Sequence, residues 1–208
     1  VAADRDRHPG VVGDLAAGRY RLRARSSAGE AALPGEAAVD VEVLPPAAVE
    51  VVLREDHVCL VNGRPFFPIG LWHAPDSDRA LSELGRAGIN LVYRTTVTPE
   101  LLDRMARFNI KAVAGIRHAL PADPAGRLAW EAAARQRTEA TRNHPGLLGY
   151  FLIDEPLWCG TPLGPLLEVY RFHRQLDPYR PIWSNEAPRG TVADCARSLL
   201  GAAPATGG

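Results

Sequence analysis

Leu147-Leu148-Gly149-Tyr150-Phe151-Leu152-Ile153-Asp154-Glu155-Pro156 is the stretch on which the reading of this chain turns. Its first seven residues are apolar or small, a run of the length expected of a strand buried on both faces and short for a helix. Two adjacent carboxylates end it, and Pro156 fixes the backbone at the exit by locking φ. On its upstream side a helical pattern over 125–142 stops before Asn143-His144-Pro145-Gly146. On its downstream side residues 163–176 repeat with helical period, placing Leu166, Leu167, Tyr170, His173 and Leu176 inward. Asp177-Pro178 ends that helix, and Pro181-Ile182-Trp183-Ser184 reads as the next strand.

The same alternation extends towards the N-terminus. Val51-Val52-Leu53 and His57-Val58-Cys59-Leu60-Val61 form an antiparallel piece, and Asn62-Gly63 is a two-residue hairpin signal. The apolar run Phe66-Phe67-Pro68-Ile69-Gly70-Leu71-Trp72 then reads as a strand buried on both faces. A helix over 78–87 buries Ala80, Leu81, Leu84 and Ala87 and stops at Gly88. The strand at 89–93 follows. Thr98 caps a helix that begins at Pro99 and buries Leu101, Leu102, Met105 and Phe108. The strand at 110–116 completes a set of five. Strands alternating with helices predict right-handed parallel βα units. With an antiparallel floor ahead of the first strand, the expected fold class is α/β, a partial (β/α)8 TIM barrel of about five strands. A doubly wound open sheet is the alternative fold, but no Gly-x-Gly-x-x-Gly and no Walker loop follows any strand.

Residues before the hairpin read with a period of two. Arg19-Tyr20-Arg21-Leu22-Arg23-Ala24-Arg25 alternates polar and apolar, as do Val39, Val41 and Val43 around Asp40 and Glu42. An immunoglobulin-like sandwich needs about seven strands in roughly 100 residues. Residues 1–48 are therefore expected to be the C-terminal part of a β-sandwich-like module, with Pro45-Pro46-Ala47-Ala48 as linker. Residues 49–208 are expected to be an incomplete barrel. Residues 191–200 suggest one more helix, and the Gly- and Ala-rich 201–208 a low-complexity tail. The expectation for the whole chain is a fragment of a longer protein.

Composition narrows the function classes. Twenty-four basic and 24 acidic side chains cancel, and the pI is near 7.2, so the cationic surplus that a nucleic-acid partner demands is missing. No run reaches the about 20 apolar residues that span a bilayer, and no charged segment followed by an apolar one suggests a signal peptide. Cys59, Cys159 and Cys195 are odd in number and widely spaced, and are expected to be free thiols. His57, His73 and His173 lack metal-ligand spacing, and no Gly-x-Ser-x-Gly elbow occurs. Neither metal nor cofactor is expected.

A (β/α) barrel collects its reactive groups just after the C-terminal ends of its strands. Those positions here are Trp72-His73, Arg94-Thr95, Arg117-His118, Asp154-Glu155 and Asn185-Glu186, all polar or aromatic. A carboxyl at such a rim, partly desolvated and beside another carboxylate, can serve as a general acid. Trp72 can stack on a pyranose face. Arg94 and His118 can bind hydroxyls or orient Glu155, or serve as an ion pair or cap. Trp158 is a candidate subsite wall, and Asn185 completes the set.

Three motifs then carry a resemblance. Asn62-Gly63-Arg64-Pro65-Phe66-Phe67-Pro68-Ile69-Gly70 resembles the approach to the catalytic barrel of clan-A glycoside hydrolases, the superfamily of many β-galactosidases, β-mannosidases and cellulases. Asn143-His144-Pro145 with 147–156 resembles the segment around that family's fourth strand and its acid/base Glu. Leu176-Asp177-Pro178-Tyr179-Arg180-Pro181 is similar to the approach to its fifth strand. The resemblance covers about residues 60–187 and implies that Glu155 is the acid/base of a retaining glycosidase, acting on an oligo- or polysaccharide in a secreted or envelope-associated protein. Many members carry Asn immediately before the acid/base, where this chain has Asp154. The resemblance puts the nucleophile after a seventh strand; Glu186 is an available second carboxylate, but it follows the fifth strand, which favours substrate contact or solvated charge. A noncatalytic carbohydrate-binding or scaffold protein is the reading from another class, and an unrelated barrel hydrolase using Asp154-Glu155 differently is a third.

Overall fold

The computed structural model describes residues 15–26, 35–156 and 159–186. Trp158, Cys195, the helix expected at 191–200 and the tail at 201–208 lie outside the described residues. The chain divides after Ala47 into two compact units.

In the first unit, β1 (Gly18–Ser26) pairs antiparallel with β2 (Gly35–Val43). The register sets Tyr20 opposite Val41 and Leu22 opposite Val39, so the apolar positions of both strands share one face. Arg19 and Glu42, 3.7 Å apart, and Arg21 and Asp40, 3.8 Å apart, pair across the strands in solvent. Where a sandwich module was expected, the described residues make one antiparallel pair.

The second unit opens with β3 (Val51–Leu53), β4 (Cys59–Val61) and β5 (Arg64–Pro65), paired antiparallel in that order. Asn62 at φ 48° and Gly63 at φ 73° make the tight turn between β4 and β5, the left-handed pair that a two-residue hairpin demands. The Asn62 side chain also accepts from Glu50 N at 2.8 Å. Five parallel strands follow, separated by four helices: β6 (Gly70–Trp72), α1 (Asp78–Arg86), β7 (Leu91–Arg94), α2 (Pro99–Ala106), β8 (Lys111–Gly115), α3 (Pro124–Thr141), β9 (Leu147–Asp154), α4 (Leu163–Leu176) and β10 (Ile182–Asn185). Their spatial order is their sequence order, and the sheet curls into a half-barrel.

Caps set the helix starts. Ser77 Oγ accepts from Ala80 N, Thr98 Oγ1 from Leu101 N and Asp123 Oδ1 from Gly126 N, and Pro stands in the first turn of α2 and α3. One core joins all four helices to one face of the sheet. Leu81, Leu102, Met105, Val169 and the partly buried Trp130 meet Val92, Ala112, Ile116 and Tyr150 there. A doubly wound sheet would have helices on both faces. On the opposite face the hairpin residues Val51, Cys59 and Val61 cluster with Leu91, Leu148 and Trp183, all near the N-terminal ends of their strands. The hairpin is thus a floor.

Two burial expectations are corrected. The run 66–72 is a strand only at Gly70–Trp72 and is largely exposed, because β6 is an edge of the described sheet with β7 as its neighbour. In α4, Val169 is buried while Leu167 and Tyr170 are exposed. The buried positions 166, 169, 173 and 176 follow one helical face, and Leu167 and Tyr170 sit one position round from it.

The Asp-Pro-x-Arg-Pro segment has a structural task. Arg180 and Asp177 are each 1 % exposed and pair at 3.1 Å. Arg180 also donates to Leu147 O at 3.0 Å and His144 O at 3.2 Å, while Tyr150 Oη donates to Asp177 Oδ2 at 2.8 Å. Asp177 and Arg180 therefore tie the residues before β10 to the start of β9. His144 accepts from Gly146 N through Nδ1, which leaves Nε2 as the donor towards Asp103 Oδ1 at 3.1 Å. Both ends of β9's approach are held by polar groups with partners.

His173, buried in α4, donates from Nδ1 to Val169 O and lies against the rings of Trp130, Phe172 and Tyr150. Burial pushes its imidazole below the ordinary histidine value; the Val169 contact opposes this and the Arg137 charge adds to it. The unfolded chain then binds the proton first as pH falls below about 6.5. Stability supplied by neutral His173 is present above that pH and is lost on acidification towards its folded pKa. His173→Gln should flatten this slope. Urea unfolding of parent and variant at about pH 7.5 and 5.5 checks it: the parent should lose more stability between the two, and equal losses would contradict it.

Candidate functional site

The five strand exits converge by topology, since parallel neighbours in sequence order open on one edge of the sheet. The face opposite the helices carries an aromatic cluster next to that edge. Trp72, the last residue of β6, stacks on Tyr93 of β7 with ring centres 3.9 Å apart and planes 13° from parallel. Phe151 of β9 sets its edge against both, at 4.7 and 5.3 Å. The His73 ring stands edge-on to Tyr93 at 4.9 Å. Gly115 makes the room: a Cβ there would lie 2.8 Å from Tyr93 Oη. About half of Trp72 remains in solvent, so the cluster is an open platform.

Asp154 and Glu155 follow at the exit of β9, the strand that carries Phe151. Asp154 is exposed at the end of β9 and opposite Asn185 in register. Burial and the Asp154 charge both push the Tyr93 hydroxyl above its ordinary value, so it keeps its proton at neutral pH. Glu155 is partly buried and takes φ 43°, a left-handed backbone in a residue with a full side chain. Its N–H donates to Asn185 O at 3.1 Å, and its carbonyl accepts from Cys159 N at 2.9 Å. Contacts from β10 and from the turn that follows therefore hold the backbone in this conformation. His73 has φ 54° at the equivalent exit of β6. Such backbones cost about 1–3 kcal/mol each and concentrate at functional sites.

The other expected residues are distributed as follows. Arg94 pairs with Asp76 at 3.1 Å and donates to Ala74 O, tying the exit of β7 to the loop after β6. His118 is partly buried next to α3, in a groove shared with Arg117 and Trp130. Asn185 is exposed at the end of β10 with its carbonyl committed to Glu155, and Glu186 is partly buried just beyond. Asp154, Glu155 and Asn185 are thus at the neighbouring exits of β9 and β10, while Trp72 ends β6 at the other edge of the described sheet and meets β9 through Phe151. Tyr93 and Phe151 were not singled out as site residues, and His73 was named as a strand-exit position without a role. Period-two alternation from buried Val92 puts Tyr93 on the face away from the helices, and Gly115 within β8 marks a close approach to that face. Among the described residues no group of His, Cys, Asp or Glu is arranged to hold a metal ion, and no helix is long and apolar enough to cross a membrane. Chemically, the arrangement offers an aromatic surface with one carboxylate, Asp154, close enough for its charge to act on Tyr93.

No protein-family model and no curated protein matches the chain. Solved structures do. A Bifidobacterium dentium β-glucuronidase complexed with coumarin-3-O-glucuronide aligns over 81 % of this chain and 30 % of its own, at 15 % identity and TM-score 0.50. A Parabacteroides merdae β-glucuronidase aligns over 81 % of this chain and 23 % of its own, at 13 % identity and TM-score 0.48. A Ruminococcus gnavus β-glucuronidase aligns over 79 % and 30 %, at 14 % and 0.48. The chain spans less than a third of the length of these proteins. At this identity the likeness concerns the fold.

Proposed function

We propose that the half-barrel is one side of a glycosidase barrel of the clan-A type and that Glu155 is its acid/base. The observation that carries the reading is the position of Glu155: the exit of β9, a left-handed backbone held by Asn185 O, and an open aromatic platform that Trp72 and Tyr93 build with Phe151 of the same strand. A pyranose stacked on Trp72 presents its hydroxyls to Asp154 and Asn185. As a second carboxylate forms its bond to the anomeric carbon, the bond to the leaving oxygen breaks and the Glu155 proton passes to that oxygen. Water then attacks the glycosyl-enzyme, and Glu155 takes the proton back.

Retention requires the two carboxyl groups about 5–5.5 Å apart. The resemblance puts the nucleophile after a seventh strand, in the part of a longer protein that completes the barrel. Among the described residues β6 and β10 each lack a second neighbour, and the exposed apolar residues Ile69, Leu71 and Trp72 lie on and beside β6; both support a sheet built to be closed by further strands. Asp154 favours the second reading, a carbohydrate-binding barrel without chemistry. When ionised it accepts from sugar hydroxyls but cannot donate as the family's Asn does.

The experiment is an assay of the complete protein on a panel of aryl glycosides that includes a β-glucuronide, together with direct binding of the same sugars. Hydrolysis of at least one glycoside is expected. Sugar binding without hydrolysis of any would select the binding module, and neither binding nor hydrolysis would remove both readings.

A further inference from the structure

The exit of β8 carries a second feature, separate from the aromatic platform. A groove of about 620 Å³ runs between the segment after β8 and α3, lined among others by Arg117, His118, Pro121, Trp130, Ala133 and Arg137. This volume is in the range of small-molecule sites, about 300–1,000 Å³. Two of its lining residues are guanidinium side chains from different elements. The other arginines of α3 and its C-cap have partners: Arg127 pairs with Glu168, Arg135 lies over the Phe172 ring and Arg142 donates to Leu176 O. Among the described residues Arg117 and Arg137 reach no carboxylate within ion-pair distance. Instead they oppose each other: burial first and the Arg117 charge second push Arg137 below the ordinary arginine value.

Two like charges sharing a partly apolar groove are the arrangement that a bound oxyanion relieves, because a planar guanidinium matches carboxylate or sulfate oxygens through paired N–H donors. The backbone is already fixed for it. Trp130 Nε1 donates to Arg117 O at 2.9 Å, and packing of Trp130 on Phe172, with centres 5.3 Å apart, secures α3 against α4. We propose that this groove is an anion subsite, in which Arg117 and Arg137 hold the carboxylate or sulfate of an acidic saccharide whose ring lies along Trp130. The saccharide as carrier rests on the glycosidase reading; the oxyanion site rests on the two arginines alone.

The test titrates the full chain with sodium glucuronate, sodium sulfate and glucose while following the indole N–H resonance of Trp130, assigned with Trp130→Phe. Arg117→Gln and Arg137→Gln are run in parallel. Both positions are exposed, and a thermal melt of each variant confirms folding. Glucuronate is expected to shift the resonance where equal glucose does not, and each variant should weaken it about tenfold or more. Glucuronate binding unchanged in both variants would overturn the site. Sulfate binding as tightly as glucuronate would overturn the saccharide as carrier. Arginine-dependent glucuronate binding by the chain, with no glycoside hydrolysed by the complete protein, would support the subsite while removing the glycosidase reading.

Discussion

Arg180→Met should destabilise the barrel unit by about 3–5 kcal/mol, the range for removing one member of a buried ion pair. The reason lies in what remains. Asp177, 1 % exposed, keeps its hydrogen bond from Tyr150 Oη but loses its buried cation, and the carbonyls of Leu147 and His144 lose their donors. A buried carboxylate without a cation is the costly species, so the double variant Asp177→Leu/Arg180→Met should recover a substantial part of the loss. Tyr150 Oη is then left without Asp177 and sets a limit on recovery. Urea unfolding of the three proteins measures this. A single-variant loss below about 1 kcal/mol would contradict a buried pair as the clamp between β9 and β10.

The pair also shows why the sequence motif was legible as a marker and not as a mechanism. Leu176-Asp177-Pro178-Tyr179-Arg180-Pro181 could be matched to an approach to a strand, but its partners, Leu147 and His144, are more than 30 residues upstream. Local reasoning reaches caps, turns and periods. It therefore placed Thr98 and Pro99 at the start of α2, Asn62-Gly63 in the hairpin and all five parallel strands. It does not reach which strand lies at an edge. The run 66–72 looks as apolar as a central strand, yet Phe67 is 79 % exposed because β6 has no described neighbour beyond β7.

The site divides along the same line. Strand exits are recognisable from strand ends alone, which brought out Trp72, Asp154, Glu155 and Asn185 together. The stacking of Trp72 on Tyr93 depends on the register between β6 and β7, and the left-handed φ of Glu155 depends on Asn185 O across the sheet. Both are tertiary. Arg94 illustrates the converse: a polar residue at a strand exit that the fold engages with Asp76 and Ala74.

The other large effect concerns Glu155 in the complete protein. Glu155→Gln keeps size and polarity but removes the transferable proton. For a glycoside with a poor leaving group, kcat/KM should fall about 10²–10⁴-fold, the usual contribution of a positioned general acid. A dinitrophenyl glycoside departs without protonation, so its first step should survive and glycosyl-enzyme should accumulate while water attack goes unassisted. Unequal losses on the two substrates separate a lost proton from a misfolded site, which would depress both alike.

Azide provides the most direct measurement. In Glu155→Ala of the complete protein the shortened side chain opens space beside the anomeric carbon, and azide attacks the glycosyl-enzyme without needing a base to deprotonate it. Turnover of the dinitrophenyl glycoside should rise with azide concentration and yield the glycosyl azide of retained configuration, while the parent protein should be indifferent to azide. A variant that hydrolyses activated and unactivated glycosides at the parent's rates, or whose residual turnover ignores azide, would contradict Glu155 as the acid/base.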